Sequence, residues 1–108
     1  MQLAEKKCVA CEGGIPPLSR SQAEPLMKEL QGWTLSGDTR WISKEFKFAD
    51  FAGAMKFADA VASIAEAEQH HPDLQISWGK TVVELTTHAL KGLSENDFII
   101  AAKVDKIA

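Results

Sequence analysis

All three histidines of the 108-residue chain, His70, His71 and His88, lie between Glu66 and Asp97. Imidazole has an unperturbed pKa of about 6.5, so it gives and takes protons near neutrality. Paired imidazoles with a carboxylate partner suit proton transfer. Two other chemistries fit these residues less well. Consecutive side chains diverge, so His70 and His71 make poor joint ligands for one metal ion, and the chain has no H-E-x-x-H. Ser77, Thr86 and Thr87 put hydroxyls near the histidines, but no G-x-S-x-G turn raises one as a nucleophile. The stretch reads as an acid–base site without a metal.

Composition narrows the setting. The chain is 45% hydrophobic and 25% charged, ordinary for a globular protein. Its length suits one domain with a thin core. A net charge of -3 and the lack of a basic stripe argue against nucleic acid as a partner. No apolar run approaches the roughly 20 residues of a membrane span. Glu5, Lys6 and Lys7 near the start, with no apolar run behind them, argue against a secretory signal and for a cytoplasmic protein. Cys8 and Cys11 form a single C-x-x-C, whereas a structural zinc usually takes two such pairs. They are expected in a loosely held tail as reduced thiols, with a metal shared between subunits as the alternative.

The histidines must be positioned by the elements around them. Residues 1–18 read as an irregular arm and 19–108 as one domain. A first helix starts at a capping box, Ser19 with Gln22 or Ser21 with Glu24. Pro25 favours the later start, because proline suits the first turn. Leu26, Met27 and Leu30 form its apolar stripe, and Gly32 is its stop. A hairpin follows, with Trp33–Leu35 and Trp41–Phe48 flanking Ser36–Thr39. Phe46 and Phe48 alternate with charged neighbours, while Ile42 breaks the pattern.

Asp50 caps a helix over about 50–70, with Phe51, Met55, Ala58, Ala62 and Ala65 on one face. Pro72 ends it and extends His71. Four-residue spacing brings Glu66 against His70, with His71 pointing elsewhere. A second hairpin turns at Gly79-Lys80 in a type II′ turn. Its last strand runs from Thr81 towards His88, with Val83, Leu85 and Thr87 facing the core. A final helix covers about 95–107, with Ser94 and Asp97 as its capping signature and Asp97, Ile100, Ala101, Val104 and Ile107 on one face. The economical fold is α+β: a four-stranded antiparallel sheet with three helices on one face, in the order α-β-β-α-β-β-α.

The run Glu66-x3-His70-His71-Pro72-x5-Trp78-x9-His88-x8-Asp97 resembles the pterin-4a-carbinolamine dehydratases. So do Phe46-x-Phe48-x-Asp50-Phe51, the A-E-A-E before H-H-P, L-T-T-H and G-L-S-x-x-D. The resemblance covers residue 18 to the end, and the C-x-x-C arm followed by G-G is similar to the bacterial members. Leu74, two positions after H-H-P, and Ala89 after T-T-H depart from the family's frequent aromatic and acidic residues there.

The resemblance implies dehydration of 4a-hydroxytetrahydrobiopterin to the quinonoid dihydropterin, which recycles the cofactor of aromatic amino acid hydroxylases. No electrons move, so no cofactor is expected and the pterin is the substrate. His70 and His88 are then the acid–base pair, His71 orients the substrate and is a candidate to share their task, and Glu66 orients or polarises His70, so that all four count as catalytic. Gln69, Thr86, Thr87 and Ala89 are expected to line the pterin site. Pro72, Trp78 and Asp97 are expected to frame it, Asp97 as a helix cap. The resemblance also implies a homodimer or homotetramer whose sheets join edge to edge. The alternatives are a non-catalytic pterin-binding protein and a dimerisation or coactivator module.

Overall fold

The computed structural model describes residues 2–9 and 15–108. Its elements are α1 (Arg20–Met27), β1 (Thr34–Leu35), β2 (Ile42–Lys47), α2 (Phe51–Glu68), β3 (Asp73–Ser77), β4 (Lys80–Leu85) and α3 (Glu95–Ile107). Short 3-10 turns lie at Leu3–Glu5 and His88–Leu90. The strands form one antiparallel sheet in the order β1-β2-β4-β3. β2 and β4, from different hairpins, therefore pair at its centre, from Ile42↔Leu85 to Lys47↔Lys80. The expected α+β class and element order both stand.

Strand alternation separates the two faces. Ile42, Phe46, Thr81, Val83 and Leu85 are buried, while Ser43, Glu45, Gln75 and Glu84 are half-buried or exposed. The buried face meets the helices in one core that includes Phe57, Val61, Phe98, Ile100 and Val104. Trp33 and Phe46 meet edge to face with centroids 6.2 Å apart, and Phe57 lies 4.6 Å from Phe46.

Several local expectations change. Ser19, not Ser21, caps α1, with Gln22 closing the capping box. Pro25 thus sits inside the helix, and its missing N–H is tolerated because α1 is short and Ser21, whose carbonyl it would bond, is exposed. Ile42 keeps phase with Phe46 and is fully buried. The buried face of α2 is Ala54, Phe57, Ala58, Val61 and Ala65, whereas Phe51 and Met55 stay exposed. The larger Phe57 and Val61 turn that helix towards the sheet. On α3, Asp97, Ile100, Ala101 and Val104 are buried as expected, but Ile107 is 44% exposed in the last turn.

The β3–β4 turn is centred on Trp78 and Gly79, one residue earlier than expected, since Ser77 pairs with Lys80. Gly79 has φ +73°, the conformation a type II turn requires at its second central position. Residues 2–9 are not a loose tail: Leu3 is 4% exposed in the core, and Lys103 Nζ donates to the Ala4 carbonyl at 2.9 Å. Cys11 lies outside the described residues.

Candidate functional site

The junction between α2 and β3 sets the first two imidazoles. α2 stops at Glu68 because Gln69 takes a left-handed conformation, φ 54° and ψ 41°. The Gln69 and His70 N–H groups both donate to the Ala65 carbonyl, a C-terminal closure that satisfies the helix end. The Gln69 side-chain amide donates to the Glu66 carbonyl at 2.7 Å. The helix thus ends three residues before His71 and does not need Pro72 to stop it.

This early stop changes the partners. His70 lies beyond the last helical turn, so the four-residue stacking expected with Glu66 does not form. His70 Nε2 instead lies 2.6 Å from Asp97 Oδ1. His71 Nε2 pairs with Glu66 Oε2 at 2.5 Å. The H-H-P step still sends its two rings in different directions.

Asp97 is fully buried at the first turn of α3. Its Oδ2 accepts from the Thr87 hydroxyl at 2.8 Å and from the Ser94 N–H at 3.0 Å. The same carboxylate therefore caps α3 and holds His70. A carboxylate only accepts, so in this contact the His70 Nε2 is the donor, which leaves Nδ1 turned away from Asp97. The His70–Asp97 side chains are 12% and 0% exposed, those of His71–Glu66 55% and 72%.

His88 comes from the other side. β4 ends at Leu85, so the strand does not run on to His88. Thr86 donates to the Arg40 carbonyl at 2.6 Å and also lies 3.3 Å from the Gly92 carbonyl. Thr87 bridges Gly92, and both threonines are buried rather than on opposite faces. Gly92 is needed there, because an added Cβ would stand 2.6 Å from Pro17 Cβ. His88 opens the 3-10 turn and is exposed, its ring edge-on to Trp41 with centroids 5.9 Å apart.

An open cleft of about 250 Å³ lies between these segments. His70, His71 and His88 all line it, as do Gln69, Thr86, Thr87 and Ala89. A larger hollow of about 510 Å³, beside Lys44 and Asp105, holds no histidine. Among the described residues, no three His, Cys, Asp or Glu side chains converge as metal ligands would.

Residues 16–107 match the family model for pterin 4 alpha carbinolamine dehydratase. The chain belongs to that family. It is 48% identical over 103 residues to a Rickettsia bellii protein provisionally named pterin-4-alpha-carbinolamine dehydratase, covering 95% of this chain and 91% of that one. A crystal structure of a transcriptional coactivator/pterin dehydratase from Brucella melitensis superposes with a TM-score of 0.80 at 33% identity, covering 85% of this chain and 98% of that one. A pterin dehydratase-like protein identified as a RuBisCO assembly factor of the alpha-carboxysome superposes at 0.61 with 26% identity, covering 72% and 90%.

Within this dehydratase-family fold, the other expected site residues take distinct places. Thr86 and Thr87 line the cleft, yet their hydroxyls bond the framework. Pro72 is half-buried at the α2–β3 junction. Trp78 is 73% exposed at the far hairpin tip, and the cleft lining does not include it. Sequence reasoning missed two lining residues, Val9 and Asn96. Asn96 had a weak signal, since it adjoins Asp97 at a helix start. Val9 had none, since its segment carries no periodicity.

Proposed function

We propose that the protein dehydrates 4a-hydroxytetrahydropterins to the quinonoid dihydropterin and water. The single observation behind this reading is the cleft that gathers His70, His71 and His88, with His70 held by the buried Asp97. The reaction breaks the bond from carbon 4a to its hydroxyl and removes a proton from the neighbouring ring nitrogen. The leaving oxygen needs a proton, and the nitrogen needs a base. His70 and His88 approach from opposite segments and take these two tasks. Asp97 orients His70, and Glu66 orients His71, which positions the pterin. Gln69, Thr86, Thr87 and Ala89 shape the rest of the cavity.

Such a dehydratase restores the pterin cofactor of aromatic amino acid hydroxylases and acts in the cytoplasm. Its exposed edge strand β3 would pair with a second copy, because an open edge leaves backbone donors and acceptors unpaired. Decay of freshly generated 4a-carbinolamine, followed by stopped flow, tests the activity. His70→Ala and His88→Ala are each expected to slow it by about 10²-fold or more while the fold persists. Wild-type rates in both variants would reject the histidine mechanism, and a decay no faster than without protein would reject the enzyme and leave a binding module.

A further inference from the structure

The segment before residue 10 is fastened to the helices at several points. The Lys6 ammonium meets Glu95 Oε2 at 3.0 Å. The Cys8 N–H donates to Glu68 Oε1 at 2.8 Å. The Val9 N–H donates to Asn96 Oδ1 at 3.0 Å, and Asn96 Nδ2 donates back to the Val9 carbonyl at 2.6 Å. One side-chain amide thus pairs with both backbone groups of one residue, as a neighbouring strand would. Asn96 is buried at 4% exposure, yet Val9 is 73% exposed. The clasp therefore holds a side chain that buries little against the protein itself. That side chain lines the histidine cleft.

The other lining residues are Gln69, three histidines, two threonines, Asn96 and Ala89. Among the described lining residues, Val9 is the one branched aliphatic side chain. A flat heteroaromatic ligand has polar edges and apolar faces. Polar groups in a binding site fix its orientation, while apolar contact covers its faces. We propose that Val9 is a specificity-determining residue that packs on the pterin ring, with Asn96 as the positioning residue that places it there. This rests on the dehydratase reading. Asn96 and Asp97 are consecutive on the first turn of α3; one holds the arm and the other holds His70. A single helical turn thereby sets two walls of the site.

Three variants test the proposal. Val9→Ser, an exposed change that spares the fold, should raise KM about 3- to 10-fold, as expected for losing one aliphatic contact, and leave kcat nearly unchanged. Asn96→Ala should raise KM similarly, and the double variant should be no worse than Asn96→Ala alone, since contacts in one unit are not additive. Val9→Trp, studied by NMR without pterin, should shift the imidazole resonances of the cleft histidines through its ring current. Wild-type KM in Val9→Ser, or additive effects in the double variant, would overturn the proposal while leaving the dehydratase intact. Unmoved imidazole resonances would overturn the placement of the arm. A wild-type protein without dehydration activity would instead overturn the dehydratase reading on which the proposal rests.

Discussion

Two histidine–carboxylate pairs stand side by side in this molecule and differ in almost everything but their chemistry. His71–Glu66 lies in solvent, both side chains more than half exposed. His70–Asp97 is enclosed, and its carboxylate accepts from three donors on three segments. Exposed pairs typically contribute about 0–1 kcal/mol, because water and salt screen them. A buried carboxylate has no such substitute, and removing it leaves every donor around it unpaired. Adjacent residues thus acquire different roles. His70 becomes a ring fixed in orientation and tautomer, while His71 stays adjustable at the rim.

The largest effect on this contrast should come from Asp97→Ala. It strips partners from His70, Thr87 and Ser94 together and should cost about 3 kcal/mol. Thermal denaturation would register that as a Tm lower by roughly 10–20 °C. A loss below about 1 kcal/mol would make the two pairs equivalent. Glu66→Ala should cost at most about 1 kcal/mol, and less still at high salt. Denaturant titrations at two ionic strengths check both points.

The smallest effect marks the exposed limit. Asp38 sits in the β1–β2 turn, where the Ser36 hydroxyl and then the Arg40 N–H hold its carboxyl below the usual range. Its folded pKa is depressed, so its small contribution is present above the unfolded value and fades as pH falls through the folded one. Asp38→Asn should remove that share of the acid sensitivity. Parallel Tm curves between about pH 5 and about pH 3 for wild type and variant would show that no such contribution exists.

How much of this was legible in the sequence differs between the fold and the site. Element order followed from periodicity and capping residues, and Ser94 with Asp97 marked the start of α3. The gathering of histidines was legible because their spacings match a family. The partners were not. The Glu66–His70 pairing assumed a helix reaching residue 70, and nothing in the letters shows that Gln69 turns left-handed. Ala58 and Ala65 of the expected α2 face are buried, but Phe51, Met55 and Ala62 are not, because its alanines satisfy two stripes and only packing against Phe46 and Phe48 selects Phe57. The arm's role was invisible, because Asn96 and Glu68 reach it across most of the chain length.

The initial rate of carbinolamine dehydration in Asp97→Asn compared with Glu66→Gln, both verified as folded, tests the account most directly. An amide in place of the Asp97 carboxylate could still bond His70 but would no longer enforce its tautomer, and the rate should fall about 10²-fold or more. Glu66→Gln should stay within a few-fold of wild type. Equal losses, or a larger loss in Glu66→Gln, would contradict the assignment of His70 as a reacting group held in place by its buried carboxylate.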